Sequence, residues 1–331
     1  MVQYSESVSK RGSLEASLEA LKRVKDDPGS EQSLGELRKA LGSPHWLVVA
    51  EAANLVKARS LPGFEELLRQ VWPRFSENGA KLDPGCRAKE AALTALDHLE
   101  LLSPEPFLGA VRYRQLEPAA GGSVDTAGGV RQRALFALFR LCHPDALLYA
   151  GELLADADPA VRAGAIHGLT HYGDRTAAAL LLHKFHSGDK DGAVVAECSA
   201  GLVTLAPDFA LPALSRWLKN GDEHQRESAA LALGQSHDKT AVDLLIDWLE
   251  SGTIDDDFNL GVRALGLSRD TRARDYLLGL IETASAGRAR SALEALATHS
   301  YDSRLGERVR EAALKNQRAK LGPLVTKLFA K

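Results

Sequence analysis

The residues best able to do chemistry in this chain of 331 are ten histidines, three cysteines and a run of three aspartates. His167 and His171 lie four apart, and His183 and His186 three apart, so on a helix each pair shares a face. A metal centre needs further convergent ligands, a carboxylate or a third histidine. Solvent-facing or capping roles therefore describe these side chains better, and no metal is expected. Asp255-Asp256-Asp257 precedes a helical stretch, where negative charge suits the positive end of the helix dipole. Capping is expected there rather than cation binding. Gly121-Gly122 and Gly128-Gly129 permit unusual backbone angles, but their spacing fits neither a Walker loop nor a dinucleotide fingerprint. Asp125 and Thr126 are expected to fix that segment by hydrogen-bonding its own backbone. Cys86, Cys142 and Cys198 are an odd set, read as reduced thiols in a reducing compartment. No catalytic constellation emerges and no cofactor is implied.

Side chains suited to recognition are more numerous. Lys184, Trp217 and Trp248 recur at matching positions, as do Glu152, His183, Arg216 and Asp247. Tryptophan and arginine are common hot spots, so two stacked tryptophans would make a recognition platform. Partial burial between helices is the competing reading, since each tryptophan sits beside a core position. Arg112, Tyr113 and Arg114 precede the glycine-rich segment, which itself carries Glu117 and Asp125. The candidate partner-binding set is Arg112, Tyr113, Arg114, Glu117, Asp125, Lys184, Arg216, Trp217, Asp247 and Trp248. Arg131, Arg162 and Arg226 form a further series, each seven residues before a repeating leucine. A basic stripe for acidic partners competes there with pairing to aspartates of neighbouring repeats, and the pairing is preferred.

The elements that must carry these residues follow from a repeat. Leu138, Leu169, Leu202, Leu233, Leu265 and Leu296 are separated by 31, 33, 31, 32 and 31 residues. A small residue stands four positions before each: Ala134, Ala165, Cys198, Ala229, Gly261 and Ala292. A second series, Leu154, Phe185, Leu218, Leu249 and Ile281, marks a following helix. The turns between carry Asp145, Asp174, Asp208, Asp238 and Asp270, each expected to cap the second helix. Units this small cannot bury an apolar face alone and must stack. The expected fold is all-α: a right-handed α-solenoid of about eight antiparallel helix pairs, forming a curved rod.

Leu21, Leu55 and Leu96 continue the ladder at wider spacing, which implies insertions at 73–83 and 117–129. Both follow a second helix, so they should emerge on the same edge as neighbouring loops. The division expected is a flexible tail over 1–12, irregular repeats over 13–127, regular repeats over 128–315, and a capping helix over 316–331.

Asp158-Pro159-Ala160-Val161-Arg162, with Ala165, Leu169 and Gly173-Asp174 after it, resembles the HEAT-repeat family. It is most similar to the short bacterial HEAT-like repeats of phycobilisome lyases. That resemblance implies a stacked helical fold and several functions, among them scaffolds, lyase subunits, hydroxylases and glycosylase relatives. The hydroxylases bind iron through paired His-Glu dipeptides, which this chain lacks.

Net charge is −3, so no global field attracts nucleic acid. From Tyr301 to Lys331 there are eight Lys/Arg and three Asp/Glu, a local excess of +5 that leaves about −8 for the rest. No signal peptide and no membrane-length apolar run are seen. The expectation is a cytoplasmic, non-enzymatic scaffold that binds a protein partner on the second-helix face and the insertion edge. A lyase- or chaperone-like subunit acting on a tetrapyrrole or protein is the alternative, and a nucleic-acid-binding repeat protein the second.

Overall fold

The computed structural model describes residues 14–236, 238–252 and 255–329. The tail at 1–12, Ser13, His237 and the end of the capping segment lie outside the described residues. The fold is an all-α solenoid of HEAT-like helix pairs, with one two-stranded insertion. It divides into two compact units, residues 1–168 and 169–331, with the division inside the helix Pro159–Tyr172.

In the second unit the repeat is regular. First helices α13 (Gly192–Leu205), α15 (Glu223–Gln235), α17 (Asp255–Leu267) and α19 (Ala286–Leu296) pack in succession. Second helices α14 (Pro207–Asn220), α16 (Lys239–Glu250), α18 (Thr271–Thr283) and α20 (Ser303–Lys315) form the facing layer. The repeating leucines are buried, as are the small rungs. The small rung Gly261 leaves room for Leu249 and Trp248 of the second helix before it, and the first helices approach so closely that a Cβ on Gly234, just after a repeating leucine, would overlap the Ala264 carbonyl of the next first helix.

Aspartates cap most of these helices. Asp174, Asp238 and Asp270 accept backbone N–H groups at the starts of their second helices. Asp191 and Asp222 do the same for α13 and α15, the latter in a reciprocal capping box with Gln225. Two expected caps fail. Ala206 is the N-cap of α14, with Pro207 at its first position, so Asp208 lies inside the first turn. Asp145 makes no capping bond, and its amide instead donates to His143 Nδ1. The Asp255–Asp257 trio lies within the first turn of α17, where Asp257 accepts from Arg226 of the preceding repeat at 2.9 Å.

The first unit is less regular. A helix spans 14–24, followed by Glu31–Leu41, Trp46–Ala58 and a run of short helices, Glu65–Arg69, Val71–Ser76 and Gly79–Leu82. Residues 73–83 therefore correct the expectation of a loop, since Val71, Phe75 and Gly79 are buried within these short helical turns. A 3₁₀ turn, Pro84–Cys86, leads into α7 (Arg87–His98), and Glu105–Ala110 follows. The second insertion is also ordered. Strands β1 (Leu116–Ala119) and β2 (Gly122–Asp125) pair antiparallel, with Leu116 opposite Asp125 and Ala119 opposite Gly122. No strand is evident there in the sequence. The helix α9 (Gly128–Arg140) and then Ala146–Leu153 resume the repeat.

Candidate protein-binding surfaces

The two insertions meet. Tyr113 Oη donates to the Ser76 carbonyl at 3.1 Å, Gln115 Nε2 to the Asp83 carbonyl at 2.9 Å, and the Gly85 amide to Glu117 Oε1 at 2.7 Å. Gly79 has no side chain because Gln115 and Tyr113 occupy the space a Cβ would need. Glu117 also accepts from Gln115 Nε2 and Thr126 Oγ1, each at 2.7 Å. Burial would raise its pKa, but the bonds from Thr126, Gln115 and Gly85 outweigh that and hold it below the ordinary value.

Beneath the hairpin sits a buried ion pair. Asp83 and Lys89 are fully buried, 2.9 Å apart. Asp83 also accepts from the Ala88 and Lys89 amides, at 2.9 and 3.1 Å, which fixes the start of α7. Lys89 Nζ donates to the Phe75 carbonyl at 3.0 Å and lies 5.5 Å from the Tyr113 ring centroid. Burial pushes the Tyr113 phenol up to about 12 and the neighbouring Cys86 thiol up to about 11. Neither is a nucleophile near neutral pH.

The hairpin's other root is held by a second network. Arg131, 1% exposed, donates to Asp125 Oδ2 at 2.7 Å, to Asp156 Oδ1 at 3.2 Å and to the Tyr113 carbonyl at 2.9 Å. Its Nε lies 3.1 Å from Asp156 Oδ2, in ion-pair range but without hydrogen-bond alignment. Arg114 bridges the same two aspartates at 3.1 Å each. Asp125 also accepts from the Gln115 and Ala127 amides. Burial would raise the Asp125 carboxyl, but these amides and Arg131 keep it below the ordinary value. Arg112 pairs with Glu152 and lies over the Tyr149 ring. Tyr113, Glu117 and Asp125 are thus bound up within the protein, while the exposed Arg112 and Arg114 pair with the exposed Glu152 and the buried Asp156. The outward features of the hairpin are Leu116, 65% exposed, and Val124, 49% exposed.

Sequence reasoning missed Asp83, Lys89 and Asp156. One signal was available: Lys89 lies seven residues before Leu96, the rung that Arg131, Arg162 and Arg226 occupy. Of those arginines, Arg131 reaches Asp156 and Arg226 reaches Asp257, each in the following repeat, whereas Arg162 donates to the carbonyls of Asp156 and Ala157 in the turn just before its own helix.

In the second unit the structure separates the aligned residues. Trp248 is 3% exposed and faces the Gly261 backbone, so a platform of two tryptophans does not form. The cause is the ladder itself, because Gly261 is a small rung that leaves room for the indole. Lys184 pairs with Asp189 at 2.7 Å. Asp247 is exposed one position before the buried indole. Trp217 is half-buried and stacks on Phe185 of the preceding repeat, with centroids 4.0 Å apart and planes 16° from parallel.

Around Trp217 opens a cleft of about 350 Å³, lined by Phe185, His186, Ala213, Arg216, Trp217, Asn220, Gly221 and Gln225. Arg216 is exposed and has no ion-pair partner among the described residues. Gln225 Oε1 accepts the Asp222 amide, which leaves Nε2 as a donor toward the cleft. The lining holds cationic and amide donors, an aromatic stack and no carboxylate. Cys198 lies deeper, donating to the Leu181 carbonyl at 3.3 Å, and burial pushes its thiol up to about 12. Among the described residues no three metal-binding side chains converge. No helix among them is long and apolar enough to cross a membrane.

The family profile for HEAT repeats matches residues 123–197, and that for the PBS lyase HEAT-like repeat matches residues 225–251. No curated protein matches the chain. Similar solved structures include the complex of CpcE and CpcF of phycocyanin lyase from Nostoc sp. PCC7120. It is 18% identical, with 75% of this chain and 93% of that chain covered and a TM-score of 0.37. Another is an engineered protein, 16% identical, with 84% and 81% covered and a TM-score of 0.35. The chain is an all-α solenoid whose residues 123–197 match HEAT repeats and whose residues 225–251 match a PBS lyase HEAT-like repeat.

Proposed function

We propose that this protein is a non-enzymatic scaffold that grips a protein partner in the cleft at Arg216 and Trp217, with the outer side of the hairpin at Leu116 and Val124 as a second contact. The observation that carries the reading is the cleft's set of unused donors beside a stacked indole. Arg216, Asn220 and Gln225 Nε2 are donors for which the fold supplies no acceptor among the described residues. Donors that face a concave wall favour a partner rich in carboxylate or carbonyl groups. Trp217 adds a large apolar contact already held in place by Phe185, so little conformational entropy is lost on binding.

The test is site-specific photo-crosslinking in the native cell extract, with a photoreactive residue at exposed position 219 beside the cleft, at position 116, or at exposed Lys239 as a control. One adduct shared by positions 219 and 116, absent at 239 and lost with Trp217→Ala, is expected. Equal adducts at all three positions, or none, would overturn the reading.

A second reading, a lyase-type subunit acting on a tetrapyrrole or a protein, rests on the PBS lyase HEAT-like repeat at 225–251, which includes Gln225 of the cleft. Added bilin that shifts in absorbance on mixing, and no longer does so with Trp217→Ala, would favour it over the scaffold.

A further inference from the structure

A different surface lies on the helix pair at 303–328. The helix α20 packs against α18 on one side, and is followed by a 3₁₀ turn, Gln317–Ala319, and the helix α21 (Gly322–Leu328). With seven residues against thirteen, α21 is too short to cover α20 along its length. A groove of about 450 Å³ remains between them, with Ala313, Leu314, Leu321 and Val325 as its apolar lining and Arg310 and Lys320 as its cations.

Leu314 marks the groove as unusual. Stepping back through the repeat by 32, 32, 31 and 33 residues, its position holds Glu282, Glu250, Lys219 and His186. Four repeats place a polar side chain there, and the fifth places a leucine that is 74% exposed. The charges are equally one-sided. The lining contains no carboxylate, and no ion pair among the described residues engages Arg318, Lys320 or Lys327. Arg310 donates to the Phe329 carbonyl at 3.0 Å, which holds its cation at the groove.

We propose that this groove is a docking site for an amphipathic helix of a partner protein whose flanks carry carboxylates. Each inner second helix is covered by the next, as α14 is by α16 and α16 by α18, so a helix is the shape that completes the pattern on α20. Apolar side chains at helical spacing would cover Leu314 and Val325, and acidic residues beside them would meet Lys320 and its neighbours. A concave groove fits such a helix better than it fits a flat anionic membrane.

The test uses the full chain and two labelled synthetic helical peptides with the same leucine stripe, one flanked by glutamates and the other by lysines. Fluorescence anisotropy should show saturable binding of the acidic peptide, at least about tenfold tighter than the basic one and weakened by salt. Leu314→Glu and Lys320→Glu should each reduce that binding about tenfold or more with unchanged thermal unfolding, while Lys239→Ala leaves it intact. Equal binding of the two peptides, no saturable binding, or binding indifferent to Leu314→Glu would overturn the proposal. So would self-association of the protein abolished by Leu314→Glu, which makes a second copy the occupant. Binding to phosphatidylserine vesicles in preference to the acidic peptide would overturn it as well.

Discussion

The hairpin region of the first unit and the Trp217 cleft of the second place similar residue types in opposite roles. At the hairpin, Arg131, Lys89, Asp83, Asp125 and Asp156 neutralise one another in or near the core, and Glu117 is saturated by neutral donors. At the cleft, Arg216 and its amide neighbours face open space without acceptors. The difference follows from what each region must hold. An inserted hairpin of four-residue strands has no core of its own and needs polar ties to fix it. A regular repeat is held mainly by leucines, small rungs and aspartate caps; its surface forms ion pairs such as Lys184–Asp189 and Arg226–Asp257, but Arg216 has none among the described residues.

The comparison can be broken most decisively at the buried pair. Lys89→Met strands the Asp83 carboxylate and should cost about 3–5 kcal/mol, read by chemical denaturation. Adding Asp83→Asn should recover much of that loss; equal losses in the single and double variants would mean the charges do not act as a pair. In the second unit the corresponding weak point is apolar. Gly234→Ala forces a methyl group onto the Ala264 carbonyl and should cost about 1–3 kcal/mol, without change in the hairpin's proteolytic resistance. A neutral result would mean the first helices do not approach as closely as described.

The repeat was legible in the sequence because burial imposes a period on it. Leu138 to Leu296 and their small partners are core residues, and so each leaves a mark at fixed spacing. The hairpin was not legible. Residues 116–125 show neither alternation nor a period, and their order comes from contacts with 76–85 that lie about 30 residues away in sequence. The candidate residues divide along the same line. Arg112 and Arg114 are exposed, but their ion pairs to Glu152 and Asp156 of the next repeat leave no mark near them in the sequence. For Trp248 a recognition platform and burial between helices both stay open in the sequence, because helix spacing alone cannot show that Gly261 opens a slot beside it.

Acid should sharpen the contrast more gently. Glu117 and Asp125 both have folded pKa values below their ordinary values of 4.5 and 3.8. Their contribution is complete above those ordinary values and is lost as pH falls through the lower folded ones. The melting temperature should therefore drop between about pH 5 and pH 3, with a shallower slope in Glu117→Gln. An unchanged slope would remove Glu117 from the lock. The smallest effect is expected at Cys142, which is exposed and tied to neither region: Cys142→Ser should shift stability by less than about 0.5 kcal/mol.

The most direct test sets one arginine from each region against the other. Chemical denaturation of Arg131→Ala should show a loss of about 3–5 kcal/mol, because Asp125 and Asp156 lose their buried counter-ion. Arg216→Ala should stay within about 0.5 kcal/mol of the unaltered protein. Equal losses in the two variants, or a larger loss in Arg216→Ala, would contradict the division between a charge lock that holds the hairpin and a cleft left free to bind.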